Sequence, residues 1–140
     1  MIILDTNVVS ELLRPEPEQR VEQWLSALDG TSVFLTTVTE AELLYGVALM
    51  PDGRRRTAIS LMLDRILRED FAGRKLPFDS PAAEAFAEIA SVRRAVGHPI
   101  AQADCMIAAI ARSVEAPIAT RNVKDFEGCG IEIINPWEAE

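Results

Sequence analysis

The sequence is poor in the side chains on which most metal and redox sites depend. Its 140 residues include one histidine, His98, and two cysteines, Cys105 and Cys129. These are too few for a network of disulfides, and they offer no complete ligand set for a structural zinc ion. His98 would also have to act alone as an imidazole base, so a Ser-His-Asp triad is a poor explanation of any activity.

Long apolar runs and an excess of basic residues are missing as well. No segment approaches the ~18 apolar residues that span a bilayer, and the N-terminus lacks the basic segment and long apolar core of a signal peptide. We therefore expect a soluble cytoplasmic protein. The formal charge of −8 is unfavourable for general attraction to nucleic acid. Composition remains compatible with nucleic-acid chemistry if carboxylates converge on one spot where divalent cations neutralise them.

The order of apolar segments predicts an α/β fold in a single domain, residues 1–140. Short strands are predicted at about residues 2–4, 32–36, 75–78, 117–120 and 131–134. Helical patterns are predicted at about residues 8–13, 18–28, 37–50, 54–71, 80–96 and 99–113. Since no two-residue hairpin turn joins two strands, we expect crossover connections and a central, mainly parallel sheet covered on both faces.

Asp5 ends the first apolar segment and is the first candidate for chemistry. In open α/β sheets the residue after a buried parallel strand faces the ligand crevice, and a charged side chain there is unfavourable unless something pairs with it. Asp5 or Asn7 could instead serve as the N-cap of a helix that begins near Val8. The residues alone support both interpretations about equally.

Two further carboxylates are harder to explain as purely structural. Glu42 follows Thr39 at the spacing of a capping box, yet its helix starts where a buried strand ends, at the same sheet edge as Asp5. Asp104 is embedded in an apolar helix that we expect to begin at Pro99, which places it beyond the first turn and too far along to cap it. Because no neighbouring basic residue has an obvious spacing to pair with Asp104, we interpret it as functional.

Asn122 and Asp125 follow the strand that ends at Thr120, and so lie at another carboxyl-terminal strand edge. Each alone is typical of a loop with Asx turns. Together with the three earlier carboxylates they make a ligand set of oxygens without imidazole, which suits Mg²⁺ or Mn²⁺. Two such cations would activate water and stabilise both the attacking and the leaving oxygen in phosphodiester cleavage.

A stripe of arginines lies on the helix predicted at residues 54–71. Its members are Arg54, Arg55, Arg56, Arg65 and Arg68. Such a stripe is usually a solvated helix face, and phosphate binding is the alternative interpretation.

Four segments resemble the PIN-domain nucleases, and more closely the VapC toxins of the FitB-like branch. They are residues 1–12 (MIILDTNVVSEL), 39–46 (TEAELLYG), 100–109 (IAQADCMIAA) and 120–126 (TRNVKDF). The ordered set, which spans nearly the whole chain, carries the resemblance rather than any single motif. It implies a compact α/β/α domain, Mg²⁺-dependent endoribonuclease activity, a homodimer, and a DNA-binding antitoxin that forms a larger complex with the toxin.

The resemblance also assigns residues to roles. By motif, Asp5, Glu42 and Asp104 take the catalytic acidic positions, with Asp5 and Asp104 as metal ligands. Asn7 and Thr120 are implied as polar supports of this site.

The fourth acidic position departs from the simplest family pattern. Some members carry an aspartate where Asn122 stands, whereas this chain has Asp125 three residues later. Two other functions remain open beside the toxin: a housekeeping RNA-processing nuclease on the same fold, and a non-catalytic α/β module that binds a partner.

Overall fold

Five parallel strands form the central sheet of the computed structural model, which describes residues 1–139. The strands are β1 (Ile2–Leu4), β2 (Val33–Thr36), β3 (Lys75–Leu76), β4 (Ile118–Ala119) and β5 (Ile133–Ile134). Their order across the sheet is β3-β2-β1-β4-β5, and every neighbouring pair is parallel. The predicted α/β class is thereby confirmed, with β1 at the centre.

Helices connect the strands and cover both faces of the sheet. They are α1 (Thr6–Leu12), α2 (Gln19–Ser26), α3 (Thr37–Ala48), α4 (Arg54–Arg65), α5 (Ser80–Ala95), α6 (Gln102–Ser113) and α7 (Val123–Phe126). A 3₁₀ turn at Gly30–Ser32 precedes β2, and a π-helical turn at Ile66–Asp70 extends α4. In residues 1–139, no helix is both long and apolar enough to cross a membrane.

The side chains of β1 show why its sequence lacks polar alternation. Ile3 and Leu4 are both 0% exposed, but they belong to different parts of the core. Leu4 packs with residues of α1 to α4, whereas Ile3 packs with residues of α5 and α6. Successive strand residues point to opposite faces, so a strand between two helical layers must be apolar on both.

The structure corrects the predicted start of α6. The helix begins at Gln102, with Ala101 as its N-cap in extended conformation at φ −60° and ψ 146°, and not at Pro99. Proline fixes only φ near −65°, a value shared by helical and extended backbone, so it does not by itself start a helix. Asp104 therefore lies in the first turn of α6 and not beyond it.

Other boundaries differ less from the sequence expectation. The first helix begins at Thr6 instead of Val8, because Asp5 caps it. The short helix α7 lies in a stretch for which the sequence predicted only a connecting segment. Gly97 ends α5 at φ +80°, in agreement with its predicted place just beyond the helix.

We predict that Thr36→Val destabilises the protein by about 1 kcal/mol, because Thr36 Oγ1 accepts the Thr39 amide at 3.1 Å as the N-cap of α3. Urea denaturation measures the loss. Thr37→Val, at an exposed position in the first turn of the same helix, is the control, with an expected change within about 0.5 kcal/mol. Equal losses at the two positions would show that the cap contributes nothing specific.

Candidate active site

Three neighbouring strands bring polar residues to one edge of the sheet. Asp5 directly follows β1, α3 with Glu42 directly follows β2, and Thr120 directly follows β4. Since β2, β1 and β4 are adjacent and parallel, their carboxyl ends meet. This is the position at which open α/β sheets bind ligands.

Asp5 caps α1 with one carboxylate oxygen and joins a polar network with the other. Its Oδ1 accepts the backbone amide of Thr6 at 2.8 Å and caps α1. Its Oδ2 accepts the hydroxyl of Thr120 at 2.8 Å and the side-chain Nδ2 of Asn7 at 3.3 Å. The side chain is 4% exposed. Capping thus occupies one oxygen, and the other belongs to a polar network at the sheet edge.

Burial raises the pKa of Asp5 above its ordinary value, and the charges of Glu42 and Asp125 raise it further. Hydrogen bonds from Thr120 and Thr6 act in the opposite direction. No ion pair to Asp5 is present in the described part of the chain, residues 1–139. The carboxylate is therefore stabilised by neutral donors alone.

Glu42 faces α1 and is not part of a capping box. Its Oε1 accepts the hydroxyl of Thr6 at 2.7 Å, and the hydroxyls of Thr6 and Thr39 lie 3.0 Å apart. The Thr39 amide donates to Thr36 Oγ1, so the capping-box interpretation is wrong. Sequence reasoning missed Thr6, because a threonine at a helix start carries no signal beyond its place beside Asp5.

Asp104 is half-buried and faces the other carboxylates. Burial raises its pKa to about 6, with further contributions from the negative charges of Asp5, Asp125 and Glu42 in that order. Among residues 1–139, it has neither an ion pair nor a side-chain hydrogen bond that would offset this repulsion. Asp104 lies in the first turn of α6, where the partial positive charge of the helix N-terminus is favourable for a carboxylate.

At the fourth acidic position the structure brings Asp125 towards the cluster. Its charge acts on both Asp5 and Asp104, and its side chain is exposed. Asn122 instead uses its backbone amide, which donates to Thr120 Oγ1 at 3.0 Å. Asp125 is therefore the better candidate for a fourth acidic ligand.

The predicted supports, Asn7 and Thr120, do contact this site. Thr120 is 0% exposed, and its hydroxyl donates to Asp5 and accepts from the Asn7 side chain at 3.3 Å. The side-chain oxygen of Asn7 accepts the Arg121 amide at 3.4 Å. These bonds tie the end of β1 to the end of β4 and fix the orientation of Asp5.

The donor set suits a hard divalent cation, although its geometry is open. Within residues 1–139, no three carboxylate, thiolate or imidazole groups lie close enough together to enclose an ion as they stand. All the candidate donors are carboxylate oxygens, and burial, followed by like charges, raises the pKa values of both Asp5 and Asp104. Mg²⁺ and Mn²⁺ prefer such ligands and retain some waters, so a closed protein cage is not required.

A cleft of about 790 Å³ leads away from Thr6 and Glu42 between α1, α3 and α4. Arg14 and Arg55 lie at this cleft. Its apolar lining includes Leu13, Leu43, Val47, Met50, Ile59 and Met62. A flexible ligand that reaches the carboxylates along this path would meet both apolar and cationic groups.

Much of the arginine stripe is paired with acidic neighbours. The pairs are Arg56 with Asp52, Arg65 with Glu69, and Arg68 with Asp64. The pairing of these three arginines supports the interpretation of the stripe as a solvated helix face. Arg55 differs because it lines the cleft next to the carboxylates.

The family model for the PIN domain matches residues 2–127. The chain belongs to the PIN-domain family. The resemblance inferred from the four sequence segments is thereby confirmed.

Relatives of this PIN domain match it over almost their entire length. VapC ribonuclease Y4jK of Sinorhizobium fredii is 42% identical over 138 residues, which cover 99% of each chain. Toxin FitB of Neisseria gonorrhoeae is 43% identical over 137 residues, covering 98% of this chain and 99% of FitB. The crystal structure of FitAcB from Neisseria gonorrhoeae matches with a TM-score of 0.89 at 42% identity, covering 99% of this chain and 100% of that one.

We predict that metal-free protein loses stability as the pH rises from about 4 to about 7. The folded pKa of Asp104 is raised from 3.8 to about 6, so the native state binds this proton more tightly than the unfolded chain does. Protonated Asp104 therefore contributes favourably to the free energy of folding. This contribution is fully present below the pKa of the unfolded chain, 3.8, and is lost as the pH rises through the pKa of the folded state, about 6. Asp104→Asn should therefore melt at a higher temperature than the wild type at neutral pH in EDTA.

Thermal melts across this pH range provide the measurement. Glu84→Gln, which changes an exposed carboxylate on α5, is the control and should follow the wild-type profile. Parallel profiles for wild type and Asp104→Asn would contradict a raised pKa at Asp104.

Proposed function

We propose that this PIN domain is a Mg²⁺-dependent endoribonuclease that acts as a cytoplasmic toxin of a type II toxin–antitoxin system. The observation that carries the proposal is the convergence of four carboxylates on one edge of the sheet: Asp5, Glu42, Asp104 and Asp125. In residues 1–139, no basic side chain forms an ion pair with Asp5 or Asp104. The similarity to a VapC ribonuclease and to toxin FitB, each over nearly the full chain, supports it.

Asp5 and Asp104 would hold the cation, because these two carboxylates have raised pKa values and no basic partner in residues 1–139. Mg²⁺, or Mn²⁺ in its place, would supply an activated water and would stabilise negative charge on the scissile phosphate. Thr120 and Asn7 keep Oδ2 of Asp5 in place by hydrogen bonds. Asp5 thus needs no rearrangement of its own to serve as a ligand.

Glu42 would act at the edge of the site, where its carboxylate is exposed and can accept a proton from water. The Thr6 hydroxyl holds Oε1 of Glu42 at 2.7 Å, so its second oxygen is the one free to face the substrate. Asp125 adds negative charge beside Asp104 and is the candidate for a fourth ligand.

The cleft supports RNA as the substrate. Arg14 is oriented by Glu11, whose oxygens lie 3.2 and 3.3 Å from its Nη1. Glu11 is 4% exposed and accepts the Glu18 amide at 3.0 Å, which fixes it between α1 and α2. Arg14 and Arg55 can therefore contact backbone phosphates of a strand whose scissile bond lies at the carboxylates.

We predict that purified protein cleaves RNA with Mg²⁺ and not with EDTA, and that Asp5→Asn and Asp104→Asn abolish cleavage. Each variant removes a ligand charge while conserving side-chain shape. Gel analysis of total RNA measures the activity, and circular dichroism verifies folding. Loss of the folded spectrum in both variants would mark these residues as structural.

Two further variants refine this test. Glu84→Gln, at an exposed position on α5, should retain full activity, and Asp125→Asn should lose less than either Asp5→Asn or Asp104→Asn. A folded wild type that binds Mn²⁺ but cleaves no RNA would instead favour a non-catalytic partner-binding module. Cleavage restricted to a precursor RNA, without toxicity, would favour a housekeeping nuclease.

We further propose a small DNA-binding antitoxin as the partner, and a homodimer as the toxin's own assembly. Structures of related toxin–antitoxin complexes support the first proposal, and the family resemblance supports the second. A flexible antitoxin tail could place apolar side chains along the cleft and an arginine among the carboxylates, because guanidinium forms bidentate bonds with carboxylate.

We predict that co-expression with the product of the adjacent gene yields a complex in which nuclease activity is suppressed. Alanine replacement of basic residues in that partner's tail should restore cleavage while the complex persists through its apolar contacts. Sedimentation gives the assembly state, and an RNA assay gives the inhibition. If partner variants with every single and combined replacement still inhibit fully, steric blocking of the active site by the partner is the better explanation.

A further inference from the structure

The buried guanidinium of Arg93 joins two segments of the candidate active site. Arg93 lies in the last turn of α5 and is 9% exposed. Its Nε donates to the carbonyl of His98 at 2.7 Å, and its Nη1 donates to the carbonyls of Asp125 and Glu127 at 2.9 Å each. No carboxylate in residues 1–139 forms an ion pair with it. A buried cation bound by main-chain carbonyls fixes the backbone that carries them.

The contact with His98 fixes the connection from α5 to α6. The amide of His98 donates to the carbonyl of Arg93 at 2.9 Å, and the amide of Gly97 donates to that of Arg94 at 3.1 Å, which is a Schellman C-cap. The guanidinium adds a side-chain bond to the same turn. From there, residues 99–101 lead directly into the first turn of α6, where Asp104 lies.

The contacts with Asp125 and Glu127 fix α7. This helix contains four residues, Val123–Phe126, and isolated helices of that length are not stable in water. Two features hold it in place: the side chain of Phe126, which is 0% exposed, and the bonds from Arg93 to carbonyls at its C-terminal end. The direction of the Asp125 carboxylate therefore depends on the guanidinium.

We propose that Arg93 is a positioning residue that sets the separation of the Asp104 and Asp125 carboxylates. The proposal rests on the metal-dependent function proposed above, in which these carboxylates surround a cation. The planar guanidinium of Arg93 donates to both the α5–α6 connection and the end of α7. A lysine ammonium is a point charge and cannot reproduce this geometry. Residues that orient metal ligands typically change metal affinity or activity by about 10–100-fold when replaced.

The test measures Mn²⁺ binding to the full chain by titration calorimetry, without RNA. We expect the dissociation constant of Arg93→Lys to rise about tenfold or more. Arg94→Lys is the matched control, since Arg94 is the next residue on α5 and is exposed, and its affinity should equal that of the wild type. Ile89 is a core residue of the same helix and is 1% exposed. Ile89→Val therefore tests whether a general loss of core packing is enough to lower the Mn²⁺ affinity.

Amide hydrogen exchange of metal-free protein gives a second measurement. Arg93→Lys should speed exchange in both residues 98–104 and residues 123–129, because the guanidinium holds the two segments together. Arg94→Lys should speed exchange in neither segment, and Ile89→Val should not act selectively on them.

Unchanged Mn²⁺ affinity in folded Arg93→Lys, or an equal loss in Ile89→Val, would overturn the proposal. If Arg93→Lys does not fold, Arg93→Gln replaces it, and failure of both to fold would show Arg93 to be structural only. A wild type without Mn²⁺ affinity would refute the proposed function instead. In that case, paired acceleration of exchange in the two segments would still support positioning by Arg93, and its absence would overturn it.

Discussion

Repulsion among carboxylates at one edge of the sheet is the constraint on which the rest of the site depends. Asp5 is almost fully buried, and burial together with the negative charges of Asp5, Asp125 and Glu42 raises the pKa of Asp104 to about 6. In the described chain, residues 1–139, neutral donors take the place of a cation at Asp5, namely the Thr120 hydroxyl, the Thr6 amide and the Asn7 side chain. These donors orient the carboxylate without cancelling its charge, so the negative charge at this edge of the sheet is retained.

The topology of the sheet also reduces this repulsion. In a parallel sheet, each crossover helix that directly follows a strand begins at the strand's carboxyl end, as α1 and α3 do after β1 and β2. Asp104 and Asp125 lie in the first turns of α6 and α7. Each helix N-terminus carries partial positive charge worth about 0.3–1 kcal/mol to a nearby anion. The helix N-termini beside Asp104 and Asp125 therefore offset part of the repulsion.

The sequence predicted well what depends on local pattern and less well what depends on tertiary contact. The strand that ends in Asp5 follows from an apolar segment without alternation, and a parallel sheet follows from the lack of hairpin turns. The function assigned to Asp104 rested partly on a helix start at Pro99, which the structure corrects to Gln102. The bond from Thr6 to Glu42 and the contacts of Arg93 join residues distant in sequence, for which no periodicity gives a signal.

The central place of β1 has a consequence for folding. One of its two neighbours, β4, lies far from it along the chain, and the bond between Thr120 and Asp5 joins residues 115 positions apart. Pairings of such long range form late and slowly during folding. Until β4 joins the sheet, Asp5 lacks its buried hydroxyl partner, and Asp125 has no fixed place beside it. The four carboxylates are thus gathered at one edge of the sheet only late in folding, and a partly folded chain does not present them together.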